Sequence, residues 1–297
     1  MRASGFGADS TATAANLNSA LNTAVGTLAN TALVASAKVG RLPFAVALAP
    51  DGKRAYVTNV GMFEYKPLPG ADPKRPQQTG LAFPAFGFPS KDARDGVKRE
   101  DASGVMIDVP GLGDPNVPES NSLCIINVED PATPKIEGFV RTGLPFGAKS
   151  LGGSSPSGVV ATSKFVYVSN AHNDTISVVD PIKREVVEEM QIRIPGLERY
   201  RGVLPIGMAY HEQSGWLLVA EAGINAVGVI DTKHRKVVGH VPTLWFPTRV
   251  VVDRDTVYVA NAKGHGTGPN ATRGTPAPQS HLELRRGAVN LFALPDA

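Results

Sequence analysis

A proline-led apolar run followed by a short strand that stops on an amide or an acid occurs four times along this chain. The copies are Pro43–Pro50 with Arg54–Asn59, Pro156–Ala161 with Lys164–Asn170, Pro205–Tyr210 with Gly215–Glu221, and Pro247–Val252 with Thr256–Asn261. One such unit cannot bury its apolar face alone, so the units must stack side by side, as in a propeller or solenoid. Two further runs of period-2 alternation follow the middle copies: Thr175–Asp180 with Glu185–Ile194, and Ala226–Asp231 with Lys236–Thr243. Four strands per unit, with units spaced as Pro156, Pro205 and Pro247 are, match propeller blades of roughly 40–50 residues. The expected fold class is therefore all-β: a β-propeller of four-stranded antiparallel blades, with four blades countable and the whole read as part of a larger propeller.

Residues 31–297 are assigned to the propeller, and Met1–Asn30 to a disordered or degenerate leader. Two insertions interrupt the repeats. Val60–Asn121 stretches the first blade and is rich in Pro, Gly and Phe; Ala262–Arg286 stretches the fourth and contains the KGHGTGPN run. Both join a second strand to a third, which in propeller order is the face that also carries the blade-to-blade connections. Long insertions of this kind in a compact domain are usually functional. A lone strand is expected over Ala32–Gly40, as the outer strand of a preceding blade or as the strand that completes the last one.

Charge and composition narrow the function classes. A formal net charge of +3 with scattered Lys and Arg gives no track for a phosphate backbone, so nucleic acid is not an expected partner. The longest apolar runs fall short of the roughly 18 residues of a membrane helix. Cys124 is the only cysteine, which excludes an internal disulfide, and its LCIIN setting predicts a buried structural thiol.

Tyr56–Asn59 (YVTN), Tyr167–Asn170 (YVSN) and Tyr258–Asn261 (YVAN) resemble the YVTN or YncE-like family of seven-bladed propellers. More specifically, Gly61–Tyr65, Phe88–Val97, Val109–Ser122, Gly152–Val160, Ala220–Val227 and Ala260–Asn270 resemble bacterial proteins in which such a propeller precedes a phosphoesterase domain of the alkaline-phosphatase superfamily. The resemblance covers Leu42–Ala297. It implies an extracytoplasmic location and, as partner, a small-molecule ligand or a phosphoesterase domain. The metal-binding nucleophile motif of that superfamily is absent from this sequence, so the resemblance implies no phosphoesterase activity here.

The candidate ligand-binding residues are the repeat-equivalent stops Asn59, Asn170, Glu221 and Asn261, with Arg249 beside them. Equivalence places the four stops at one height on one face, and their hard oxygens suit Ca2+ or a polar ligand. The competing reading is that an Asn at a strand end serves its own turn. Glu221 stands out, because turn-making does not demand a carboxylate. With Asn170 and Asn261 it forms the candidate metal set, and it is the candidate catalytic residue of a Ca2+-dependent lactone or ester hydrolase, a pattern similar in residue type to the gluconolactonase propellers. Arg249 is expected either to bind a ligand carboxylate or to pair with Glu221.

Other groups carry less. Asp108, Asp114, Asn116 and Glu119 lack EF-hand spacing; His172, His211 and His265 form no zinc signature; Ser154, Ser155 and Ser157 lack a nucleophile elbow. The readings that remain are a ligand- or partner-binding module, expected to be truncated from a two-domain hydrolase whose phosphoesterase is its natural partner, and a Ca2+-dependent hydrolase of lactones or esters.

Overall fold

The structure is a computed structural model that describes residues 33–81, 84–147, 149, 152–264 and 287–295. The leader and most of the second insertion, including His265, lie outside the described residues. Within them the chain is nearly all β, and four antiparallel sheets follow one another as propeller blades.

The first blade contains β1 (Pro43–Leu48), β2 (Arg54–Asn59), β5 (Ser122–Asn127) and β6 (Lys135–Arg141). The second is β7 (Pro156–Ala161), β8 (Val166–Asn170), β9 (Thr175–Asp180) and β10 (Glu185–Gln191), and the third is β11 (Pro205–His211), β12 (Trp216–Glu221), β13 (Ala226–Asp231) and β14 (Lys236–Pro242). The fourth has three strands, β15 (Trp245–Asp253), β16 (Thr256–Gly264) and β17 (Ala288–Ala293). Strand order within each sheet follows the chain. The strand expected over Ala32–Gly40 is not formed: residues 33–40 run without strand pairing, and Val39 packs on the outer side of the first blade.

Each blade is apolar on both faces, and the core lies between blades. Tyr56, Leu123 and Ile125 of the first blade meet Val159, Val166 and Val168 of the second. The same register positions repeat at the next junction, where Tyr167, Ile176 and Val178 meet Met208, Leu217 and Val219. At the third, Leu218, Val227 and Val229 meet Val250, Val257 and Val259. Period-2 alternation therefore points odd and even positions to different neighbours, which is why the central strands read as nearly continuous apolar runs. Cys124 sits fully buried on the outer side of the first blade, and burial pushes its thiol up to about 11, so it is a structural thiol as expected.

A polar device locks one blade to the next. Leu42, Ser155, Leu204 and Phe246 each precede the proline that opens a blade, and each lies in the left-handed region at φ 49°, 53°, 54° and 59°. Asn121, Asp174 and Asn225, each the last residue before a third strand, are left-handed too, at φ 45°, 53° and 57°. Asn and Asp tolerate that conformation because their short side chains bond nearby backbone. Here they reach forward instead. Asn121 Oδ1 accepts from Ser155 N–H at 3.1 Å, Asp174 Oδ1 from Leu204 N–H at 2.9 Å, and Asn225 Oδ1 from Phe246 N–H at 2.8 Å. Asp174 adds a second bond, from Gly202 N–H to Oδ2 at 2.7 Å.

The insertion Val60–Asn121 is more ordered than a structureless loop. It holds a hairpin, β3 (Gly96–Glu100) with β4 (Met106–Pro110), and two helices of one turn, α1 (Pro76–Thr79) and α2 (Lys91–Asp95), the latter capped by Ser90 Oγ accepting from Ala93 N–H at 3.0 Å. Arg41 ties it to the propeller, donating to Met62 O at 2.8 Å, Asp114 O at 2.9 Å and Ser120 Oγ at 3.2 Å. Asn116 binds the Phe146 backbone in both directions, at 2.8 and 3.0 Å, so the insertion rests on the connection between the first two blades.

Replacing Asp174 by Ala removes two hydrogen bonds to a buried carboxylate and a side chain suited to its left-handed backbone. The expected loss is on the order of 3 kcal/mol in urea unfolding, since hydrogen bonds to charged groups contribute about 1.5–3 kcal/mol each. An unchanged midpoint would remove the clamp from the account of blade docking.

Candidate functional site

The four polar stops occupy equivalent ladder positions and all are buried, none more than 2% exposed. Each turns toward the third strand of its own blade. Asn59 Nδ2 donates to Ser122 Oγ at 3.2 Å and more loosely to the Val57 and Ser122 carbonyls at 3.4 Å. Asn261 Nδ2 donates to Val259 O at 3.0 Å and Asn290 Oδ1 at 2.9 Å. Asn170 Nδ2 donates to Thr175 Oγ1 at 3.0 Å and Ser177 Oγ at 2.8 Å, and the Ser177 hydroxyl in turn donates to Glu189 Oε1 at 3.2 Å.

Glu221 departs from its equivalents for a reason that lies across the sheet. Ladder register places Cys124, Ser177, Gly228 and Asn290 at one position of the third strand, and Phe139, Glu189 and His240 opposite the first three on the fourth. Where the other blades have a side chain, the third has Gly228. The Glu221 carboxyl fills that space so closely that a Cβ on Gly228 would lie 2.8 Å from Glu221 Cδ. Through the gap Glu221 Oε2 reaches His240 Nδ1 at 2.6 Å. His240 Nε2 faces the Arg193 carbonyl at 3.3 Å, which only accepts, so Nε2 carries a proton and the Nδ1–Oε2 bond holds another.

Burial pushes the Glu221 carboxyl up, against the pull of His240, while the bond to Glu221 holds His240 above its usual value in spite of partial burial. The pair therefore keeps its shared proton at a higher pH than the separate groups would.

One oxygen of every stop is left over. Asn59 Oδ1, Asn170 Oδ1, Glu221 Oε1 and Asn261 Oδ1 are buried without a hydrogen-bond partner among the described residues. The amides of Asn59 and Asn261 cannot be turned to relieve this, because their nitrogens face backbone carbonyls. A buried unsatisfied acceptor costs about 1–3 kcal/mol, so each calls for a water, a ligand donor or a cation.

Arg249 is exposed on β15 and makes no hydrogen bond to Glu221, whose charged partner is His240. Sequence reasoning passed over His240; the signal was the glycine at 228 in register with a carboxylate at 221. Among the described residues no three of His, Cys, Asp and Glu are grouped to hold a metal ion. In the insertion, Asp108 lies 3.6 Å from Lys98, and Asp114 accepts from Asn116 N–H at 2.8 Å, so these acids serve a surface pair and a turn. His172 is exposed, and His211 Nδ1 shares a 2.8 Å hydrogen bond with Ser214 Oγ. Ser154 Oγ pairs with Thr142 Oγ1 at 2.9 Å, and Ser157 Oγ donates to Ser155 O at 2.9 Å, so neither is poised beside a base.

The insertion adds a second candidate. Phe88 packs edge-on to Phe63, ring centroids 4.9 Å apart, and lies 5.2 Å from Phe146. Phe88, Phe146, Arg94, Ser90 and Asn116 line a cleft of about 220 Å3 between insertion and propeller.

No family signature matches the sequence, and no curated protein does. Solved structures resemble it at the level of fold. Hydrazine synthase of Kuenenia stuttgartiensis aligns over 76% of this chain and 44% of its own, at 18% identity and a TM-score of 0.45. The WD40 repeats of RRP9 align over 77% and 47%, at 11% identity and a TM-score of 0.42. Virginiamycin B lyase of Staphylococcus aureus aligns over 74% and 77%, at 14% identity and a TM-score of 0.35. The chain thus spans less than half the length of the first two. The propeller itself is read from the chain's own sheets, four antiparallel sheets that follow one another as blades.

Two outcomes test the Glu221 pocket. Glu221→Asn alone leaves a void beside Gly228, whereas Glu221→Asn with Gly228→Ser restores the arrangement of the second blade; the double variant should therefore unfold later than the single one, a coupling readable as a double-mutant cycle in urea. The second outcome concerns pH. Both folded-state values are raised, so the pair's contribution is complete below the unfolded values, 4.5 for Glu and 6.5 for His, and is lost as pH rises through the folded ones. Wild-type melting temperature should accordingly fall as pH rises above 6.5, and Glu221→Gln should abolish that fall, because His240 then feels burial without a carboxylate. Parallel pH profiles for the two proteins would exclude the shared proton.

Proposed function

We propose that this chain is a ligand- or partner-binding propeller module whose binding surface is the face built up by Val60–Asn121. The observation that carries this reading is the enclosure of Glu221. The one acid among the stops is fully buried, spent on His240 and pressed over Gly228, while the aromatic cleft of the insertion stands open on the elaborated face. Clefts lined by aromatic side chains with a few polar groups suit small-molecule binding. The resemblance to propellers fused to a phosphoesterase supports, as natural occupant, a ligand or domain presented to such an enzyme, and an extracytoplasmic site of action.

A second reading rests on the four unpartnered oxygens, which suit Ca2+ or a polar ligand and favour a Ca2+-dependent lactone or ester hydrolase with Glu221, Asn170 and Asn261 as its oxygen donors. One experiment separates them. Purified protein is assayed for turnover of a panel of lactones and aryl esters with Ca2+ and with EGTA, and the same panel is screened by thermal shift. Binding without turnover is expected, with shifts abolished in Phe88→Ala and Arg94→Ala. Turnover that requires Ca2+ and is lost in Glu221→Ala would establish the hydrolase instead.

A further inference from the structure

Two successive blade junctions place the same tyrosine near the short turns, on the face opposite the insertion, and only one of the two is completed by the protein. Tyr56 of β2 and Tyr167 of β8 hold one register position, and each packs toward the following blade. At the second junction the Tyr210 ring lies nearly parallel to Tyr167, centroids 6.4 Å apart and planes at 18°. Thr232, which follows β13, stands within hydrogen-bonding reach of the Tyr167 hydroxyl. Its own proton goes to Gly215 O at 2.6 Å, so toward Tyr167 it accepts.

At the first junction both partners are missing. Tyr210 pairs with Leu217 as Ala161 pairs with Val166, so Ala161 is the counterpart of Tyr210. Thr232 and Pro181 each follow the aspartate that closes a third strand, so Pro181 is the counterpart of Thr232. Neither replacement has a side-chain group that bonds a phenol. Tyr56 is 3% exposed, and its hydroxyl has no hydrogen-bond partner among the described residues; what acts on it is charge, from Arg54, Asp51 and Glu137. Burial holds that phenol above its usual value, so it stays a donor.

Tyr56 opens onto a cleft of about 500 Å3 lined also by Asp51, Arg54, Lys164, Pro181 and Ile182. The second junction has a cleft of about 410 Å3, but Tyr167 and Tyr210 line it as a closed pair. In the first cleft two cations face one carboxylate. Arg54 engages Glu137 Oε2 through Nε at 2.8 Å, and Asp51 Oδ1 accepts from Lys53 N–H at 3.0 Å. Lys164 lies over the Phe165 ring, 5.0 Å from its centroid, and is in no ion pair among the described residues. Pro181 and the exposed Ile182 supply an apolar wall.

We propose that this cleft binds an aromatic carboxylate. The carboxylate accepts from the Tyr56 hydroxyl and the Lys164 ammonium, taking the part that Thr232 plays at the next junction, and the ring takes the part of Tyr210 beside Ile182. A charged acceptor is favoured over a neutral one, because it relieves a buried donor and an unpaired ammonium together. The volume suits one small molecule. Lying among the short turns, the site is separate from the aromatic cleft of the insertion.

Benzoate is the probe, titrated by calorimetry into the full chain, with benzamide as the neutral control. Benzoate should bind, and benzamide should bind about tenfold more weakly or not at all. Tyr56→Phe removes one oxygen and Lys164→Met one charge; each should weaken benzoate about tenfold or more, the loss expected for a hydrogen bond to a charged group. Ala161→Tyr with Pro181→Thr rebuilds the second junction inside the first and should abolish binding. Should that double variant fail to fold, Tyr56→Phe, checked for native circular dichroism, still decides the matter. No heat at millimolar benzoate would overturn the site. So would equal binding of benzamide, or an affinity that Tyr56→Phe and Lys164→Met leave unchanged, since benzoate would then sit elsewhere.

Discussion

The structure depends on one contact repeated: the flat apolar face of one blade laid on the next. No sheet here has a core of its own, because Tyr56, Tyr167 and Leu218 face one neighbour while the alternate positions Val166, Leu217 and Val257 face the other. Stability is then a chain of nearest-neighbour terms, and every blade needs company. The left-handed Asn121, Asp174 and Asn225 convert that non-directional attraction into a fixed register, since each holds the amide of the residue before the next blade's proline. Apolar burial supplies the attraction and the clamp supplies the angle.

Inside this frame the polar stops form an internal seam. In each blade a buried side chain at the end of the second strand reaches the third strand, and in the second and third blades the seam continues to the fourth through Glu189 or His240. Glu221 is a long acceptor spanning a gap that Gly228 leaves, and Asn170 with Ser177 cover the same distance with two shorter side chains. The unpartnered oxygens along this seam are the feature that a purely structural role leaves unexplained. They keep a polar ligand or cation among the roles open to the stops, while the open aromatic cleft lies on the insertion.

Much of the fold was legible because propeller strands are local. The bounds expected for β9 and β13, Thr175–Asp180 and Ala226–Asp231, agree with the structure, since short polar turns bracket a clear apolar alternation. The segment 33–40 was expected as a strand and forms none, because a strand exists only by pairing and these residues pair with no other strand. The stops were found from repeat equivalence, and they are equivalent. The partner of Glu221 was not found, because nineteen residues separate it from His240 and only ladder register brings them together.

Sequence alone determined the blade repeat, the strand order and the identity of the polar stops, because these follow from period-2 patterning and from residues that recur at equal spacing. Tertiary structure decided what the stops face, that Glu221 is enclosed against His240, and which face of each blade meets which neighbour. Those outcomes depend on which strands lie side by side and which blades have neighbours, and no local pattern of residues encodes the presence of a neighbour.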